Sequence, residues 1–170
     1  MKMIIEGRHR PKSEAFAKTN LDLDVRVRTL TSSDEEQVKV LDMLSGNTVC
    51  DMLDEDGGYA WGIFRNGRLL GYCTIGGVEG TEYQKIVDEA DEISVSKTTA
   101  KTVSNAYIHP YCRRFGFGSQ MIKEAMNDEM YNNINAFFCT IHNYNLYEFY
   151  SKLGFHELED GILLIERSVM

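Results

Sequence analysis

The sequence predicts an α+β fold, an α/β sandwich with a mixed, mostly antiparallel sheet flanked by helices. Three observations carry this. Apolar residues alternate with charged ones over residues 21–30, and two strand-like runs flank Asn66-Gly67. Apolar residues recur at helical spacing over residues 119–130 and 146–153. A Pro-broken, Gly-rich segment at residues 106–119 joins a strand to a helix. The predicted order is β-α-β-β-(insert)-β-α-β-α-β.

The first strand sets Leu21, Leu23, Val25 and Val27 against Asp22, Asp24, Arg26 and Arg28, the pattern of a half-buried strand. Thr31 and Ser32 followed by Asp34, Glu35 and Glu36 open a helix with acids in its first turn. Val38, Leu41, Met43 and Leu44 are its expected buried face, and Gly46-Asn47 its stop. Residues 59–64 and 69–75 form a hairpin, with Asn66-Gly67 suited to a type I′ turn. Residues 76–101 read as an excursion between strands, acidic with weak helical periodicity over 82–92 and polar after that. A strand at 102–108 leads to a helix at 119–130 that is expected to bury Ile122, Ala125, Met126 and Met130. Residues 135–141 are an apolar strand covered on both faces. Leu146, Phe149, Tyr150 and Leu153 make the apolar stripe of a short helix, closed by Gly154 and Phe155, and residues 162–169 are the last strand.

The chain of 170 residues, 43% hydrophobic, is expected to form one domain over 21–170, with the insertion at about 76–101 and a basic arm at 1–20. That arm holds five basic and two acidic side chains, so a net charge of −8 for the whole leaves −11 on the remainder. A body this acidic argues against nucleic acid as a partner and favours a cationic substrate. Cys50, Cys73, Cys112 and Cys139 are scattered without metal-ligand spacing, which predicts reduced thiols, no metal and a cytoplasmic protein. No apolar run reaches membrane-span length, so no membrane partner is expected. A homodimer stays open.

The richest stretch is Ile108-His109-Pro110-Tyr111-Cys112-Arg113-Arg114-Phe115-Gly116-Phe117-Gly118-Ser119. Glycines let a ligand approach the backbone closely, and the first N–H groups of a helix point outward unpaired. With two arginines beside them, these groups suit a pyrophosphate. Downstream lie Asn143, then Tyr150, then Gly154-Phe155. No G-x-G-x-x-G follows the first strand and no Gly-Lys-Ser/Thr occurs, which excludes a Rossmann or P-loop nucleotide domain.

Together the two elements resemble the GCN5-related N-acetyltransferase (GNAT) family, over residues 102–156 above all. The resemblance implies acetyl-CoA as cosubstrate, an amine as acceptor and no metal. Backbone groups of Ala106, Tyr107 and Ile108 would pair with the pantetheine arm. Arg113 and the run Arg114, Phe115, Gly116, Phe117, Gly118 and Ser119 would hold the pyrophosphate, the run through backbone N–H groups. Asn143 would hydrogen-bond the pantetheine. Tyr150 would sit beside the sulfur as general acid, because a phenol of pKa about 10 can donate to a thiolate whose conjugate acid has a pKa of about 8.5. A backbone N–H near Ile108 would stabilise charge on the thioester oxygen.

The general base stays unassigned. Some family members carry Glu five residues ahead of the Asn, where this chain has Phe138, and the strand at 102–108 offers only Ser104, Asn105 and Tyr107. Glu79, Glu82, His142 or a water relay remain, while His109 before Pro reads as a surface residue. The competing class is a non-catalytic acyl-CoA-binding or regulatory module of the same fold.

Overall fold

The computed structural model describes residues 24–89, 99–159 and 161–167. Strand β1 (Val25–Thr29) runs into a single 3-10 turn and helix α1 (Glu35–Ser45). Asp34 closes that junction: its carboxylate accepts from the Thr31 N–H at 3.1 Å and from both terminal nitrogens of Arg28 at 2.8 and 2.7 Å. Gly46, at φ 78°, ends α1. Strands β2 (Ala60–Arg65) and β3 (Arg68–Gly77) form the hairpin, with Asn66 and Gly67 both at positive φ as a type I′ turn requires.

The expected excursion contains helix α2 (Tyr83–Glu89) in its described part, and its polar residues 90–98 lie outside the described residues. Then come β4 (Ala100–Ile108), α3 (Phe117–Met126), β5 (Ala136–Thr140), α4 (Tyr144–Lys152), β6 (His156–Glu159) and β7 (Ile162–Glu166). Strand β6 was not expected. It is only four residues long, sits at the sheet edge and carries mostly polar residues, so it has no apolar alternation to show. The basic arm and residues 21–23 lie outside the described residues.

The sheet order is β1-β2-β3-β4-β5-β7-β6. Every neighbouring pair is antiparallel except β4 with β5, which run parallel and pair only from Ala100–Ala136 to Thr102–Phe138. Beyond that point β4 continues for six residues with β3 alone among the described residues, so the sheet opens as a V.

Side chains from alternate residues of the sheet feed layers on both faces. Ile63, Cys73, Val103, Phe137 and Leu163 pack with Ile122, Ala125, Tyr150 and Leu153 of the α3–α4 layer. On the other face Phe64 and Tyr72 meet Val38 and Leu41 of α1, and Phe138 and Leu164 meet Tyr83 and Val87 of α2.

Four expected core residues are not in the core. Met43 and Leu44 are 87% and 51% exposed. At about 100° per residue they lie some 120–140° around the helix from Val38, whereas Leu41 lies on its side. Met130 is 50% exposed because α3 stops at Met126. Asp128 then caps a short turn in which Tyr131 takes the buried place. Leu146, 44% exposed, faces the cleft instead of the core.

Candidate active site

The opening of the V is the mouth of a cleft of about 1030 Å³. One wall is β4 from Thr102 to Ile108; the loop Cys112–Arg114 and the start of α3 close one end. Thr140, His142 and Tyr150 line the β5–α4 side, and Ser45, Asn47, Thr81, Glu82 and Tyr83 reach in from the α1–α2 face. The cleft therefore passes through the sheet.

A bulge shapes the β4 wall. Tyr72 pairs with Tyr107 and Thr74 with Ser104, so Cys73 alone faces the two residues Asn105 and Ala106. Asn105 takes up the extra length at φ 50°, and its amide donates to Thr74 Oγ1 at 3.1 Å. Bulges interrupt the ladder and leave backbone groups of the extra residue for other partners. At the strand's end the His109 N–H donates to the Leu70 carbonyl at 2.8 Å. Strand alternation then turns the Ile108 N–H toward the edge that β5 has left. Gly71 permits the close pass of β3 there, since a Cβ would lie 2.3 Å from Ile108 Cδ1 and 2.5 Å from the Tyr107 oxygen.

The predicted pyrophosphate segment turns through two left-handed residues, Arg114 at φ 67° and Gly116 at φ 83°. Gly116 is the cap of α3, and the Gln120 N–H returns to its carbonyl at 3.0 Å. The N–H groups of Phe117, Gly118 and Ser119 come before that first helical bond and have no acceptor within the helix. Gly118 lies against Phe149 and Ile108, at contacts of 3.4–3.5 Å from where a Cβ would stand. Arg113 lines the cleft, but its Nε donates to the Ile108 carbonyl at 2.9 Å and its guanidinium lies over the Tyr107 ring. Phe115 points away and is 72% exposed.

Of the second predicted element, Tyr150 is 5% exposed and lines the cleft, clamped edge-to-face by Phe149 and Phe155. No side-chain or backbone group among the described residues hydrogen-bonds its hydroxyl, and burial drives its pKa well above that of a free phenol. Asn143 is exposed and caps α4, its side chain accepting from the Asn145 N–H at 2.9 Å, and it does not line the cleft. His109 caps the turn that follows it, accepting from the Tyr111 N–H, and stays outside the cleft.

Sequence reasoning left Glu82 and His142 as two of several options and did not single out Thr140 or Tyr83. All four line the cleft. Thr140 Oγ1 donates to Glu82 Oε1 at 2.8 Å, and the Tyr83 hydroxyl is bonded to Thr140 Oγ1. Fifty-eight residues separate Glu82 from Thr140, so no local pattern marks them as a pair. Glu79 is exposed and not part of the lining.

Comparison with known proteins bears on the family and the fold. Residues 56–157 match the family model of the acetyltransferase (GNAT) domain. No curated protein matches the chain in sequence. Among solved structures, the PaiA N-acetyltransferase of Thermoplasma acidophilum in complex with coenzyme A superposes at a TM-score of 0.60 with 16% identity, over 85% of this chain and 100% of that one. The ribosomal-protein-alanine N-acetyltransferase of Brucella melitensis gives 0.58 with 14% identity, over 84% and 98%. The diaminobutyrate acetyltransferase of Paenibacillus lautus, in complex with L-2,4-diaminobutyric acid and coenzyme A, gives 0.58 with 15% identity, over 78% and 74%. The fold is that of an acetyl-CoA-dependent transferase. With more than half its length inside the family model, the chain belongs to the GNAT acetyltransferases, for which acetyl-CoA is the acetyl donor.

Proposed function

We propose that this protein moves the acetyl group of acetyl-CoA onto a primary amine, carried by a small cationic molecule or by a protein. The observation that carries the reading is the V between β4 and β5, with the open N-terminus of α3 beyond one end and Tyr150 in its wall. A strand edge without a neighbour accepts an extended chain by backbone pairing, which suits the pantetheine arm along Ala106–Ile108. Free N–H groups at a helix start suit the pyrophosphate, here at Phe117–Ser119, with Arg114 beside them. The Arg113 guanidinium would have to share or release the Ile108 carbonyl. The capping role of Asn143 leaves its amide nitrogen as the group for the pantetheine.

The bound thioester supplies an activated acyl group; the chain's residues orient it and manage charge and protons. The backbone N–H groups at Ala106 and Ile108 would meet negative charge on the acyl oxygen, a reading that the bulge and the strand alternation support. Tyr150, kept protonated by burial, is a donor for the departing sulfur. Its high pKa favours stabilising a thiolate by hydrogen bond over giving the proton up entirely. Four free cysteines, two of them fully buried, fit a reducing compartment, and we place the protein in the cytoplasm.

Thiol release from acetyl-CoA, followed over a panel of 1,4-diaminobutane, spermidine and a lysine-containing peptide, tests the reading. Turnover that depends on the amine supports it. Tight acetyl-CoA binding with no turnover on any amine would identify a non-catalytic binding module instead.

A further inference from the structure

We propose that Glu82, held by Thr140 and Tyr83, is the residue that receives the cationic group of the acceptor. The inference rests on the acetyltransferase reading above and adds to it the specificity residue.

Placement comes first. The elements suited to the donor, α3 and Tyr150 of α4, belong to one face of the sheet, packed with Phe137 and Leu163. Helix α2 packs on the other face, with Tyr83 against Phe138 and Leu164. Thr140 stands two residues past the last β4–β5 pair, at the apex of the V. Glu82 thus meets the cleft at its narrow end and from the face that α3 and α4 leave free. A donor bound from one face leaves this other face as the approach for an amine.

The chemistry of the group fits a cation. Glu82 is the one carboxylate among the described residues that line the cleft. Asp42, on the same face, is spent on the Tyr72 hydroxyl and the Cys50 N–H at 2.7 and 2.8 Å. Thr140 has one hydroxyl hydrogen and gives it to Glu82, so Tyr83 is the donor in its bond to Thr140. This chain of donors points at an anion. Tyr83 is itself 6% exposed and stacked on Phe138 at 5.3 Å, so the chain is anchored in the core. Among the described residues no lysine or arginine is ion-paired with Glu82 (His142 is the titratable neighbour it faces). Its own backbone N–H and the Thr140 hydroxyl hold the carboxyl below the usual carboxylate range, which keeps it anionic at neutral pH.

The test is steady-state kinetics on wild type, Glu82→Gln, Glu82→Asp, Thr140→Val and Thr140→Ser, using whichever of spermidine, 1,4-diaminobutane and the lysine peptide the wild type acetylates best. Loss of a charge-assisted contact predicts that E82Q raises KM for the amine about tenfold to a hundredfold, with kcat changed less than about threefold and KM for acetyl-CoA less than about twofold. T140V moves in the same direction by a smaller factor, and T140S and E82D restore part of the loss. Glu82 is exposed, so E82Q keeps the wild-type unfolding midpoint within about 2 °C. An amine KM within twofold of wild type in E82Q overturns the proposal, as does a loss confined to kcat. If the wild type binds acetyl-CoA but acetylates no amine of the panel, the transferase reading falls and this proposal with it; a wild type that works beside an unaffected E82Q condemns Glu82 alone.

Discussion

Tyr150 presents two parts to two surroundings, an apolar ring and a hydroxyl. Its place in the stripe with Phe149 and Leu153 reads as core, and its ring is indeed clamped between Phe149 and Phe155. The hydroxyl, however, reaches the cleft and meets no partner among the described residues. A hydroxyl that opens on the cleft is free to donate to a group that binds there. Tyr150→Phe preserves the packing and removes only the donor. It is expected to lower kcat at least about tenfold while the acetyl-CoA dissociation constant stays within about twofold. Single-turnover and binding measurements check this, and unchanged turnover would end the role of Tyr150 as donor to the sulfur. Glu82 is the contrasting case. Its residue type was legible, but its function depends on Thr140, fifty-eight positions away, and only the folded sheet brings the two together.

At the scale of elements, local chemistry was legible wherever the chain carries its own instruction. Asn66-Gly67 fixes the hairpin turn. Gly154, at φ 102°, lets the Phe155 N–H return to the Tyr150 carbonyl at 3.1 Å and its own N–H to Ser151, the closure that the Gly-Phe pair announces. Helix burial was less legible, because apolar type fixes neither which way a side chain faces, as at Met43 and Leu44, nor where a helix stops, as before Met130. The β1–α1 junction makes a pH prediction. Arg28 first, then the Thr31 N–H, hold the Asp34 carboxyl below its ordinary range, while Arg28 stays charged throughout. A carboxylate whose folded pKa is depressed stabilises the fold above its unfolded pKa of about 3.9 and loses that contribution as pH falls through the lower folded value. Asp34→Asn is therefore expected to destabilise by about 1–2 kcal/mol at pH 7, the lower part of the range for charged hydrogen bonds because Arg28 is half exposed. The gap between wild type and variant narrows below about pH 4. Denaturant unfolding at pH 7, 5 and 3 reads it, and a gap that is constant across the three would show that the ion pair contributes nothing.

For the whole molecule, the decisive feature is one that no segment encodes: two parallel strands that pair for three residues and then part. Parallel pairing is non-local, so the sequence showed both strands and both signatures but not the gap between them. The gap has an energetic consequence. Beyond Thr102, β4 has no neighbour on the β5 side among the described residues, and the cleft separates the β1–β4 part of the sheet from β5–β7. A ligand seated there touches β4, the start of α3 and α4 together, bridging parts of the molecule that must separate when it unfolds. Acetyl-CoA at about a hundred times its dissociation constant is then expected to stabilise the fold by about 2.7 kcal/mol, which for a chain of this size raises the unfolding midpoint by about 5–10 °C. The same rise is expected for Tyr150→Phe and for Glu82→Gln, since neither residue is assigned to the pyrophosphate or the strand-like arm. Acetyl phosphate carries the same acetyl group but no arm to lie along β4, and it should shift the midpoint by less than about 1 °C at matched concentration. Thermal scans with each ligand decide the matter. A protein indifferent to acetyl-CoA, or equally responsive to acetyl phosphate, would mean that the V is not where the donor binds.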